Sequence, residues 1–360
     1  MNTRTRLESM RSTISRLRPW LSYTLLIGAM LSSAGCSLGM WGLDGPMTWL
    51  RPAGDNSAIQ EHVFMVSVYV CAFAFLFTGA LYLIAVFRFR ARPGQEDEIP
   101  EQSHGNTAIE IGLLVAFVVL LTIIAVPNVK AIFALDDVPA REEADLVVQA
   151  RGYQWWWGFE YPDLKIRTAN ELVIPVGKKV RVELYTDNVI HSFWVPRLAG
   201  KLDVMPNQAN RMWLNAKEVG VYRGQCAELC GASHAQMRFL TRVLSQADFD
   251  AWVQHEQQPA QPFKHSFNRE LVERGEKVFM SSACIGCHRI AGTPAAGLTA
   301  PDLTHVGSRP EIGAGMFDNT PDNIYKWIKN PGIKPGNLMP KIPLPDEDIK
   351  AVAAYLTSLK

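Results

Sequence analysis

The sequence predicts a multi-domain chain in three parts: a two-helix transmembrane hairpin, an all-β domain of Greek-key type, and a small all-α domain. Three patterns carry this. No charged residue occurs from Val63 to Phe87 or from Ile111 to Val129. From about Asp145 to Asp250 short alternating strands and turns replace those apolar runs, and after about Asn268 the apolar spacing turns helical. Domains of roughly 150 residues suit such a division of a chain of 360. A content of 48% hydrophobic and 20% charged residues excludes a disordered chain, and a net charge of +1 leaves no basic excess to track nucleic acid.

Residues 1–36 read as an export signal. Arg4, Arg6, Arg11, Arg16 and Arg18 face a single acid, Glu8, and precede an apolar run from Trp20 to Met30 that is too short to span a bilayer. Ser33-Ala34-Gly35-Cys36 resembles a lipoprotein signal in which Cys36 would be lipidated, although Ser33 stands where leucine is usual. The alternative is an ordinary cysteine near a cleavage site.

The hairpin, residues 60–130, holds spans at about 63–87 and 111–129, lengths that cross about 30 Å of hydrocarbon as helices. Arg88, Arg90 and Arg92 follow the first span at once and place the connecting loop in the cytoplasm. Everything after about Asn128 then lies outside. Cys71, mid-span, reads as packing. Glu110 stands where the second helix begins, and on position alone is a first-turn charge favoured by the helix dipole.

The middle domain, residues 140–256, alternates Val180, Val182 and Leu184 with Arg181 and Glu183, and a short helix at about 246–254 closes it. Its chemistry lies in His191-Ser192-Phe193-Trp194 and in the run from Cys226 to Met237, which contains Glu228, Cys230 and His234. Two thiolates, two imidazoles and a thioether converge if the first strand lies beside that run. Soft sulfur with imidazole suits copper, and a second cysteine allows two sulfurs to bridge two coppers. A Cys2His2 zinc site satisfies tetrahedral geometry equally well, and exported cysteines at this spacing also form disulfides. On ligand types alone, zinc and copper stay open.

The hairpin, His191-Ser192-Phe193-Trp194-Val195-Pro196 and Cys226-Ala227-Glu228-Leu229-Cys230-Gly231-x-x-His234-x-x-Met237 together resemble subunit II of haem-copper cytochrome c oxidases over roughly residues 60–256. The resemblance implies a cupredoxin fold and a binuclear CuA centre held by His191, Cys226, Cys230, His234, Met237 and the Glu228 carbonyl. It also implies that the Glu228 carboxylate reaches a magnesium at the interface with subunit I. An acid like Glu110, after His104-Gly105-Asn106-Thr107, stands in that family at the entrance of a proton channel. Gly152-Tyr153-Gln154-Trp155-Trp156-Trp157 resembles the family's aromatic patch, which makes Trp155 the candidate for electron entry. Three adjacent indoles in a strand cannot all face one core, so at least one sits at the surface or against a partner. Trp156 and Trp157 read as core packing.

Residues 257–267 form a polar, proline-bearing linker, and 268–360 form a domain that is marginal in size without a cofactor. Cys284-Ile285-Gly286-Cys287-His288 supplies one: two thiols at this spacing form thioethers to a haem, and His288 becomes its axial ligand. Met339, in Asn337-Leu338-Met339-Pro340, resembles the distal ligand of class I cytochromes c, with Met316 and His305 as rivals. Helices at about 269–282 and 346–360 should frame the haem, with Trp327 and Tyr355 packing beside it.

The resemblance as a whole is to subunit II of a caa-type oxidase. It implies electron transfer from haem c to CuA and on to subunit I, where oxygen is reduced with proton translocation. It further implies subunits I and III as partners, a soluble cytochrome c or other donor, and a bacterial plasma membrane with both soluble domains on the outer side. A CuA subunit of a nitric oxide reductase is the alternative, as is a membrane-anchored cytochrome with a structural zinc.

Overall fold

The computed structural model describes residues 45–90, 94, 99, 105–262 and 268–360. The export-signal reading, Cys36, Arg92 and His104 lie outside the described residues. Helix α1 spans Asp55–Arg88 and α2 spans Thr107–Asp136, each longer than the charge-free run within it. The Asn106 side chain starts α2 by accepting from the amides of Ala108 and Ile109 at 3.0 and 3.3 Å. Apolar side chains along both helices have no protein cover; Phe75 is 78% and Phe133 72% exposed, which in water would be costly and in lipid is not. The foot of α1 is fixed to the β domain, with Ser57 Oγ donating to the Arg197 carbonyl at 2.8 Å and Asn56 Nδ2 to that of Trp213 at 3.2 Å.

Ten strands follow: β1 Leu146–Tyr153, β2 Trp156–Tyr161, β3 Ile166–Ala169, β4 Glu171–Pro175, β5 Val180–Thr186, β6 His191–Trp194, β7 Leu202–Val204, β8 Asn210–Leu214, β9 Gly220–Cys226 and β10 Arg238–Leu244. They form two five-stranded sheets, ordered β3-β2-β1-β5-β8 and β4-β10-β9-β6-β7. The pairs β1 with β5 and β4 with β10 are parallel, so each sheet contains a crossover connection. Between the sheets lies an aromatic core. Trp157 meets Phe193 edge-on at 5.6 Å, and Phe193 stacks on Phe239 at 5.0 Å. Tyr161 is buried without an orphaned hydroxyl, because its oxygen donates to the Val173 carbonyl and accepts from the Val173 amide. Helix α3, Gln246–Glu256, capped by Ser245, packs Phe249 and Trp252 against this core.

The C-terminal domain holds α4 (Arg269–Ser281), a two-stranded hairpin of β11 (Glu311–Ile312) and β12 (Phe317–Asp318), α5 (Pro321–Lys329) and α6 (Asp346–Ser358). Helix α5 was not expected, although Thr320 as cap and Pro321 in the first turn are ordinary start signals. Val272, Phe279, Ile324, Ile328, Val352 and Tyr355 form its core. Tyr355 packs with Phe279 at 6.0 Å between ring centroids.

Helices α4 and α6 cross at Gly275. A Cβ there would stand 2.0 Å from the Ala351 carbonyl oxygen and 2.9 Å from Tyr355 Cβ. That neighbour is backbone, so no rotamer change relieves the contact. Gly275→Ala is therefore expected to destabilise the domain by about 2–3 kcal/mol, toward the upper end for overpacking, despite alanine's better helix propensity. Denaturant unfolding checks this; an unchanged midpoint contradicts the close crossing.

Candidate functional site

The β domain brings the expected metal ligands together. His191 opens β6 and Cys226 ends β9, strands that pair directly with Phe193 opposite Cys226. The Ala227 amide donates to the Ser192 carbonyl and the Cys226 amide to that of Met237, each at 2.9 Å, which folds the 227–237 loop back over the strand ends. A 3-10 turn at His234–Gln236 then presents His234 and Met237.

The distances describe an elongated cluster. Cys226 Sγ lies 3.8 Å from His191 Nδ1, 3.8 Å from Cys230 Sγ and 3.2 Å from the Glu228 carbonyl oxygen. Cys230 Sγ lies 3.7 Å from His234 Nδ1 and 3.8 Å from Met237 Sδ. Each sulfur thus has an imidazole nitrogen within 3.8 Å. Both cysteines are free thiols, which sets aside the disulfide alternative in this structure. The shared contact with Cys230 holds the Cys226 thiol far below its usual range, to about 3, with the His191 ring adding to the effect, and pushes Cys230 up. His191, Cys226, Cys230 and Met237 are buried, whereas His234 is half-buried and Glu228 exposed. Five soft and borderline donors, with the Glu228 carbonyl oxygen beside them, exceed the four that one tetrahedral zinc takes, and they fit copper.

The three tryptophans separate. Trp157 is fully buried in the core, and Trp156, on the opposite face of the strand, is half-buried and stacks on Tyr153 at 4.2 Å. Its expected place in the core is thereby corrected. Trp155 is only 9% exposed, and its Nε1 donates to the Cys230 carbonyl at 3.0 Å. Gln154 Nε2 donates to the same oxygen at 2.8 Å. Gly231, at φ +117°, leaves room for the ring, since a Cβ there would stand 3.0 Å from Trp155 Cζ2.

What covers Trp155 is the chain's own C-terminal domain. A Cβ at Gly336 would lie 2.7 Å from Trp155 Cη2. Beside it the Lys334 ammonium group donates to the carbonyls of Trp155, Gln236 and Gly313 at 2.6, 2.9 and 3.0 Å. Burial pushes this amine down to about 7, against a smaller opposing effect from Cys230. Ser233 Oγ donates to the Pro335 carbonyl at 2.6 Å, and Arg223 forks onto the two Glu311 carboxylate oxygens at 2.6 and 3.2 Å. None of these residues was singled out from sequence; the dense Pro331-Gly332-Ile333-Lys334-Pro335-Gly336 run before Met339 was the available signal.

Cys284, Cys287 and His288 share one turn of the C-terminal domain. The 290–303 segment wraps that turn, with the Gly297 amide donating to the His288 carbonyl and the Ala300 amide to that of Cys287. His288 Nδ1 lies 2.8 Å from the Pro301 carbonyl oxygen, which can only accept, so Nδ1 carries the proton and Nε2 keeps its lone pair for iron. Met339 is half-buried, while Leu298 and Leu338, in loops near Cys287 and Met339 in sequence, are 60% and 76% exposed. An apolar ring fits such uncovered side chains. The rival His305 is engaged with Gln258 and His255. Glu110 stands apart, exposed in the first turn of α2.

Comparison with known proteins identifies the two domains that carry these residues. The family described as cytochrome c oxidase subunit II, periplasmic domain, matches residues 165–244, and the cytochrome c family matches 272–360. Cytochrome c oxidase subunit 2 of Alkalihalophilus pseudofirmus is 40% identical over 87% of this chain and 91% of its own length. That of Bacillus sp. strain PS3 is 37% identical over 95% of this chain and 98% of its own. The crystal structure of the periplasmic domain of subunit II of cytochrome oxidase from Bradyrhizobium japonicum, 36% identical, covers 33% of this chain and 96% of that one, with a TM-score of 0.32. The two apolar helices, the β domain and the C-terminal domain are thus parts of one oxidoreductase subunit, and the chain belongs to the cytochrome c oxidase subunit II family, with a cytochrome c domain at its C-terminal end.

Proposed function

We propose that this chain is the electron-transfer subunit of a caa-type terminal oxidase. Electrons enter at the C-terminal domain, cross to the β domain beside Trp155, and leave toward subunit I, where oxygen is reduced to water with proton translocation. When bound, a haem c and a CuA copper pair supply the one-electron carriers. Cys284, Cys287, His288 and Met339 would hold the first; His191, Cys226, Cys230, His234, Met237 and the Glu228 carbonyl the second. The observation that carries the reading is Trp155, held between the Cys230 carbonyl and Gly336, three residues from Met339. An imidazole nitrogen beside each of the two sulfurs supports two coppers over a single zinc.

Lys334, Ser233 and Arg223 keep the two domains docked, so the donor domain does not have to find its acceptor by diffusion. The exposed Glu228 carboxylate supports its assignment to a magnesium shared with subunit I. Glu110, exposed at the cytoplasmic start of α2, supports a place at the proton entrance of that partner. Subunit III and an external donor, a soluble cytochrome c or another carrier, complete the assembly. It sits in a bacterial plasma membrane with both soluble domains outside. Purification of the chain with its membrane partners, followed by assay of oxygen against nitric oxide, tests this. Cyanide-sensitive oxygen uptake is expected; turnover of nitric oxide alone would overturn the proposal.

A further inference from the structure

Away from the copper cluster, His255, Glu256 and His305 meet where α3 ends and the C-terminal domain begins. One ligand atom from each lies within 4.8 Å of the other two. His255 Nδ1 is 3.4 Å from Glu256 Oε1, and the His255 and His305 rings stand 4.4 Å apart between centroids. We propose that these three residues form a second metal site, taking a borderline divalent ion of the zinc type and stapling the end of the β domain to the C-terminal domain.

His305 is only 3% exposed. Its Nε2 lies 2.9 Å from the Gln258 carbonyl oxygen, and a carbonyl can only accept, so Nε2 carries the proton. Nδ1 is then a lone pair, buried and without a hydrogen-bond partner. A His255–Glu256 ion pair alone leaves that lone pair unexplained, whereas an ion between the three groups uses it. A histidine ligand whose other nitrogen is anchored on a backbone carbonyl is also the usual arrangement around zinc.

The surrounding charge favours a cation. Glu171 and Arg242, which face Glu256, pair with each other at 3.1 Å, and Asp302 pairs with Arg289. Arg309, the remaining cation there, donates to the Asp302 carbonyl oxygen at 2.6 Å. Among the described residues the Glu256 carboxylate, with its side chain 10% exposed, has only the His255 ring within ion-pair distance, with Arg309 acting on it from farther away. Two imidazoles and a carboxylate, with the exposed edge at His255 open to a water, match a three-ligand zinc site. The absence of sulfur from the trio separates it from the copper cluster. The inference does not depend on the oxidase reading.

The test is zinc titration of the full chain with its copper and haem sites filled, read by equilibrium dialysis and by X-ray absorption at the zinc edge. One zinc per chain is expected, in a shell of two imidazoles and a carboxylate, with a thermal midpoint that rises with zinc. His255→Ala, at an exposed position where folding is unaffected, and Glu256→Gln should each weaken binding more than about 100-fold, beyond the loss of an outer partner. No bound zinc, equal binding by both variants, or an absorption shell without imidazole would overturn the site.

Discussion

Replacement of Cys230 by serine is expected to lower copper from two per chain to one or none, and to reduce oxygen uptake of the assembled oxidase by more than about 100-fold. Cys230 is the hub of the cluster, with Cys226, His234 and Met237 all within 3.8 Å of its sulfur. A hydroxyl is a hard, protonated donor that does not replace a bridging thiolate for copper. Loss of an outer-shell partner already costs about 10–100-fold in metal affinity, and loss of a bridging ligand exceeds that. The fold should survive, because serine nearly matches cysteine in size and the Trp157, Phe193 and Phe239 packing is retained, and haem content should stay at one. Retention of full copper and activity would show that Cys230 is not a ligand.

Lys334→Met is expected to loosen the docking of the two domains by about 3 kcal/mol, since a buried acceptor left unpaired costs about 1–3 kcal/mol and such losses are not additive. Methionine keeps the unbranched stem and removes every donor, leaving the carbonyls of Trp155, Gln236 and Gly313 without the amine. Relief from burying the amine, already driven down to about 7, offsets part of this. By comparison the Arg223–Glu311 pair is more exposed, at 36% and 16%, and its loss should cost about 1 kcal/mol. Lys334→Arg should not rescue, because a planar fork does not match three carbonyls arranged around one nitrogen. Faster hydrogen exchange at 331–337 and 234–237, with copper and haem content unchanged, is the expected signature. Wild-type protection in Lys334→Met would contradict the clamp.

The parts of the protein legible in sequence are those whose chemistry is local. Cys226 to Met237 packs five ligand groups into one short loop, and Cys284 to His288 is self-contained, so residue type and spacing mark both as candidate sites, although only the resemblance chose copper over zinc for the first. The spans were legible because lipid imposes uniform apolarity on each. What sequence left hidden depends on distant pairs. Trp155 was placed at a surface or against a partner, yet the partner is Lys334 and Gly336 of the same chain, 179 residues from Trp155 in the case of Lys334. The parallel pairing of β1 with β5 leaves no local mark, because β5 shows the same alternation whichever neighbour it has. His305 illustrates the same limit, since its partners lie across the linker.

Electron transfer within the isolated chain tests the central claim most directly. The full-length subunit, loaded with copper and haem and without subunit I, would be rapidly reduced at the haem, with haem and copper signals followed together. Haem oxidation and copper reduction should proceed at one shared rate that does not change with protein concentration. A rate that scales with concentration, or copper that stays oxidised while the haem is reduced, would contradict a donor domain docked permanently on its acceptor.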